Sequence, residues 1–150
     1  MTNLPDFELL KTSQVSGDPT RKTFDGLDHV LIVLPSDPPD ALFRRLPQGT
    51  QLKRLLKKAR GASVESATSR LNNPRATGLT VSTFAAGTAF SRLSWARELI
   101  AGCCREHPGS LGILVLGLDE EKRQTAVEDL VAAAEAAAFQ LPTFKSEKKP

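Results

Sequence analysis

The residues best placed to do chemistry follow the apolar run "GILVLG". There Gly117 ends a predicted strand, and Asp119, Glu120 and Glu121 open a predicted helix. Strand, glycine and helix start together are the parts of a phosphate cradle, because the free N–H groups of a first helical turn point at an anion. A dinucleotide fingerprint needs glycines in a G-x-G-x-x-G frame. Here Leu118 follows a single glycine, and three acids occupy the positive end of the helix dipole, where they repel phosphate. A second candidate is "FAAGTAFSR", with Gly87 and Thr88 between strand and helix and Ser91 and Arg92 just after. It lacks the lysine and spacing of a P-loop.

Other reactive side chains are scattered. His29 and His107 are far apart, without an H-x-x-x-H frame or acids at metal-ligand spacing, so they are expected to be structural or surface histidines. No G-x-S-x-G elbow presents a serine nucleophile. Cys103 and Cys104 are neighbours in a helical pattern, which suits reduced, buried thiols. The sequence therefore predicts no catalytic residue, no cofactor-binding residue and no metal ligand in this stretch.

Charge is the stronger signal. Between Ala41 and Arg75 nine basic residues (Arg44, Arg45, Lys53, Arg54, Lys57, Lys58, Arg60, Arg70 and Arg75) face one acid, Glu65, whereas the whole chain carries only +3. Such a segment could hold a polyanion. Aromatic residues are not interleaved with these charges and tyrosine is absent, so binding would be to phosphates and independent of sequence.

These side chains need a scaffold, and its pattern is legible. The chain of 150 residues with 40% apolar content suits one globular domain. "HVLIVLP" reads as a strand covered on both faces. "SDPPDALFRRL" reads as a short helix with Ser36 or Asp37 as cap and Leu42, Phe43 and Leu46 on one face. "TQLKRLLKKAR" is amphipathic, with Leu52, Leu55, Leu56 and Ala59 inward and its cations outward. "SATSRL" and "TGLTVSTF" read as adjoining strands around Asn72-Asn73-Pro74. "AFSRLSWARELIAGCCREH" puts Phe90, Leu93, Ala96, Leu99, Ile100 and Cys103 on one helical stripe, with Trp95 against another element or a partner chain. A buried strand over Leu111 to Gly117 and a helix from about Glu120 to Ala138 follow. That helix is expected to pack through Ala126, Val127, Leu130, Val131, Ala134 and Ala138.

Strands alternating with helices predict a layered α/β domain, with a central, largely buried mixed sheet flanked by helices and strand order left open. The expected organisation is an irregular segment over 1–27 with a short strand near Phe7 to Leu10, the α/β domain over 28–142, and a charged linker over 143–150. No apolar run approaches the ~20 residues that span a bilayer, and Pro5, Asp6 and Glu8 replace a signal peptide's apolar segment. A soluble, cytoplasmic protein without membrane contact is the expectation.

The segments "LPQGTQLKRLLKKAR", "TSRLNNPRATGLTVSTF", "ARELIAGCCREHPGSLGILVLG" and "AAAEAAAFQLPTFKSEKKP" together resemble the amino-terminal domain of bacterial leucyl (cytosol) aminopeptidases, over roughly residues 28–150. The resemblance implies a macro-domain-like layered fold at the outside of a homo-hexamer. It also implies a parent metallopeptidase that removes N-terminal amino acids from peptides. Two divalent metal ions, zinc or manganese, would be held by a lysine and carboxylates of a carboxy-terminal catalytic domain, in segments such as "NTDAEGR". This chain has no such segment, so no catalytic residue carries over. Expected roles are assembly, access to the active sites or partner binding, with that catalytic domain as partner. A nucleic-acid-binding module using the basic region 44–75, with DNA as its candidate partner, and a macro-like nucleotide-binding domain are the alternatives.

Overall fold

The computed structural model describes residues 21–61, 64–84, 87–106 and 108–148, and side-chain environments over 23–61, 64–84, 87–106 and 108–137. The expected strand near Phe7 to Leu10, most of the 1–27 segment, and His107 lie outside the described residues. In chain order the elements are α1 (Arg21–Asp25), β1 (His29–Leu34), α2 (Asp40–Arg44), α3 (Gly49–Lys58), β2 (Ser66–Arg70), β3 (Gly78–Thr83), α4 (Ala89–Cys103), β4 (Leu111–Val115) and α5 (Glu120–Lys148).

They form a layered α/β fold around a four-stranded mixed sheet of order β2-β3-β1-β4. β1 pairs in parallel with β3 and β4, and β2 pairs antiparallel with β3. All six residues of β1 and all six of β3 are buried, as the unbroken run of β1 requires of a central strand. Alternation along β1 then sets two cores. Val30, Ile32 and Leu34, with Leu79 and Val81 of β3, pack under Phe24 of α1, Leu42 and Phe43 of α2, Leu46, and Leu52 and Leu56 of α3. Leu31 and Val33 face Trp95, Ala96, Leu99, Ile100 and Cys103 of α4 and Ala126 and Leu130 of α5.

The β2–β3 connection rests on Asn73, as the Asn-Asn-Pro signal anticipates. Its side chain accepts from the Thr77 amide at 3.0 Å and donates to Asp25 at 2.8 Å, while the buried Thr77 hydroxyl donates to the Leu27 carbonyl at 2.7 Å. Gly117, at φ +78°, takes a left-handed conformation open to glycine between β4 and α5.

Several expectations change. Arg21–Asp25 is helical, not irregular. Neither Ser36 nor Asp37 caps α2; Pro39 stands at its N-cap without a side-chain bond. β4 is an edge strand, half-buried throughout, because nothing pairs with its outer side among the described residues. Phe90 and Leu93 do not belong to the buried stripe of α4, being 78% and 38% exposed. Trp95 turns inward instead, donates its indole N–H to the Thr83 carbonyl at 3.1 Å and meets Phe84 edge-on, an arrangement favoured by the ring quadrupoles. On α5 the buried face is Ala126 and Leu130 with Ala133, Ala134 and Ala137 beside them, while Val127 is 37% exposed and Val131 half-buried. Ala138 lies beyond the described side chains. The α5 backbone continues as helix to Lys148, through residues 143–148 of the expected linker. Among the described residues no helix is long and apolar enough to cross a membrane.

Candidate functional site

Strand register places one row of polar side chains together. His29 pairs with Gly78, Leu31 with Thr80, Thr68 with Thr80, Ser66 with Ser82 and Arg70 with Gly78, so these residues share the sheet face that looks toward α4. Helix α4 covers that face over β1, where Leu31 and Val33 supply apolar contact. Over β2 and the start of β3 a cleft of about 570 Å³ remains, with Ser66, Thr68, Thr80 and His29 as floor, Glu98, Leu99, Gly102 and Cys103 of α4 as wall, and Arg70, Arg105 and Glu106 at its charged end.

The floor is built around His29, 8% exposed. Its Nε2 lies 2.8 Å from the Thr80 hydroxyl. The other edge of the ring lies so close to Gly78 that a β-carbon there would sit 2.3 Å from Nδ1, so the ring can occupy this position only beside a glycine. Burial depresses the His29 pKa and the Arg70 charge depresses it further, with Glu106 opposing both. The imidazole is therefore neutral at pH 7. Cys103 stands behind it with its thiol pushed up to about 11, chiefly by burial, against a downward pull from its hydrogen bond with Thr80. Burial raises Cys104 as well.

This arrangement binds better than it reacts. A thiol with so high a pKa is not a thiolate at neutral pH and is a poor nucleophile. The His29–Thr80 distance suits a base and a hydroxyl. However, the hydroxyl is buried, and the second ring nitrogen faces Gly78 instead of a carboxylate that would orient and charge-stabilise the ring. Arg70 ties β2 to the end of α4 through an ion pair with Glu106, which holds the Glu106 carboxyl below its usual range, and also donates to the Ala76 carbonyl at 3.1 Å. The Ser66 and Thr68 hydroxyls, and the charges of Glu98 and Arg105, have no hydrogen-bond or ion-pair partner among the described residues.

The nine basic residues singled out from the sequence are divided by the fold. Arg44 and Arg45 end α2, and Lys53, Arg54, Lys57, Lys58 and Arg60 lie on or just after α3, all on the far side of the sheet from the cleft. Arg70 instead faces α4, because residues 66, 68 and 70 of β2 point the same way. Arg75, in the β2–β3 connection, pairs with Asp28 at 2.9 Å and holds that carboxyl below its usual range. Lys53 likewise pairs with Asp40, and Arg60 approaches Asp37 at 3.8 Å. Arg44, Arg54, Lys57 and Lys58 are exposed and form no ion pair with a described residue.

The two anion candidates are occupied by the protein itself. Asp119 accepts from the Lys122 amide at 2.8 Å, so the start of α5 is capped by a carboxylate. Thr88 caps α4 by accepting from the Ser91 amide at 3.2 Å, and Arg92 is turned to Asp129 at 3.1 Å. No group of three His, Cys, Asp or Glu among the described residues is placed to hold a metal ion.

Sequence reasoning missed Ser66, Thr68, Thr80, Glu98 and Glu106. The available signal was the alternation of hydroxyls in "SATSR" and "GLTVST", which gives a strand pair a polar face even where a helix stands over part of it. No known family model, curated protein or solved structure matches the chain.

Proposed function

We infer that this chain is the non-catalytic amino-terminal domain of a cytoplasmic, metal-dependent leucyl aminopeptidase, serving assembly, access to the active sites or partner binding. The reading rests on one observation. Three of the four segments that carry the resemblance fall on successive elements: "LPQGTQLKRLLKKAR" on α3 and its entry, "TSRLNNPRATGLTVSTF" on most of the β2–β3 pair, and "ARELIAGCCREHPGSLGILVLG" on the second half of α4 and β4. In this reading the two divalent metals belong to a catalytic domain in the same polypeptide. The described residues offer no fitting ligand set, so none of them is assigned to metal. Assembly would be homo-hexameric.

Immunoprecipitation of the native polypeptide with an antibody to this domain tests the reading. The expected product is well above the 16.2 kDa of this chain and releases a chromophore from a leucine anilide in a chelator-sensitive way. A native polypeptide of only that mass, or a larger one without such release, overturns it.

A second reading has its own observation: Arg44, Arg54, Lys57 and Lys58 are exposed on the α2–α3 side and form no ion pair with a described residue. In this second reading the group would contact the phosphates of duplex DNA, with a log–log salt slope of about −0.9 per phosphate contact. A triple Arg54→Glu, Lys57→Glu, Lys58→Glu variant should lose binding and flatten that slope. Absence of wild-type binding at low salt, or equal binding by the variant, removes the nucleic-acid role.

A further inference from the structure

The geometry points to the cleft between α4 and the β2–β3 half of the sheet as a binding site for a short zwitterionic peptide with both ends free, its ammonium on Glu98 and its carboxylate on Arg105. This inference is independent of the aminopeptidase reading. The cleft, at about 570 Å³, falls within the ~300–1,000 Å³ of small-molecule sites.

Its charges select the ligand. Arg70 and Glu106 neutralise each other at one end, which leaves Glu98 and Arg105 as the charges open to a ligand. A polyanion would meet Glu98, and a polycation would meet Arg105. An apolar ligand would strip water from the Ser66 and Thr68 hydroxyls without replacing the lost hydrogen bonds, which is unfavourable. A ligand carrying one charge of each sign, with amide groups between them, satisfies the whole lining and gains a charge-assisted bond at each end.

Spacing sets its length. Position 98 lies on α4 and position 105 in the turn two residues past its end at Cys103, so the seven-residue separation puts them on the order of 10 Å apart. Two extended residues reach about 7 Å. The Glu and Arg side chains span the remainder, which favours a dipeptide over a single amino acid. Val64 and Leu99, in the same lining, supply the apolar contact for one peptide side chain.

Amide-resolved NMR titration of the full chain with leucylglycine tests this. Saturable shifts are expected at Thr68, Thr80 and Gly102. N-acetyl-leucylglycine and leucylglycinamide, each lacking one charge, should bind at least tenfold more weakly. Glu98→Gln should abolish discrimination against the acetylated peptide and leave discrimination against the amide. Arg105→Gln should do the reverse. Both residues are exposed, and the capped-peptide comparison needs no variant. The inference is overturned by absence of saturable shifts, by shifts confined to other surfaces, by equal binding of the capped peptides, or by variants that lose both discriminations together.

Discussion

Replacing Gly78 with alanine isolates the contact on which the cleft floor depends. The new β-carbon would lie 2.3 Å from His29 Nδ1 and 2.8 Å from Cε1, so the ring must retreat by about 1 Å to reach ordinary contact distance. It has little freedom to do so. Its Nε2 is held at 2.8 Å by Thr80, and its backbone is fixed opposite Gly78 by the parallel register. Either the ring rotates and gives up the Thr80 hydrogen bond, worth about 1 kcal/mol, or the strands part and the core is strained by about 1–3 kcal/mol. Gly78 is not at positive φ, so alanine gains about 0.4–1 kcal/mol from the stiffer unfolded chain. The strain exceeds that gain, and a net loss of about 1–2 kcal/mol is expected. Guanidinium denaturation should show a lower midpoint at unchanged slope. In a His29→Ala background the clash is absent and the same substitution should be neutral or stabilising. Equal losses in both backgrounds, or no loss in the wild type, would refute the packing argument.

Three further outcomes are expected. Leu130 is fully buried, so Leu130→Asp should remove several kcal/mol and unfold the domain, whereas Val127→Asp, 37% exposed, should shift stability by about 0.5 kcal/mol or less; circular dichroism melts of the pair report which face of α5 is buried. Because the folded state lowers the His29 pKa below its ordinary 6.5, the unfolded chain binds the proton more readily, and this contribution is complete above pH 6.5 and lost as pH falls through and below it; a His29→Gln variant should flatten melting temperature against pH in that window, above the range where Asp28, Asp40 and Glu106 titrate, and an unchanged profile would assign the dependence elsewhere. Iodoacetamide at pH 8 should label the folded protein slowly, at the half-buried Cys104 before Cys103, whose thiol sits at about 11, with both reacting quickly in denaturant; peptide mass spectrometry showing early labelling of Cys103 would contradict its burial.

What the sequence determined by itself is the class of each element. The unbroken run Val30 to Leu34 could only be a strand covered on both sides, Leu52 and Leu56 fixed the inward face of α3 while Leu55 and Ala59 stay half-buried, and Asn73 set the turn between β2 and β3. The layered α/β architecture follows from that alternation. Periodicity, however, names a helix face without naming what lies beneath it. Phe90 and Leu93 continue the apolar period of α4 but stay exposed, while Trp95 reaches the sheet and donates to the Thr83 carbonyl. Composition equally could not tell the edge strand β4 from a central one, since pairing order is a property of the assembled sheet. The cleft was decided entirely by tertiary structure. Its floor joins β1 to the adjoining strands β2 and β3, more than thirty residues further along the chain, brought to one face by register. Its charges, Glu98 and Arg105, are separated from Ser66 and Thr68 by the whole of β3, and only the packing of α4 across the sheet face makes them neighbours.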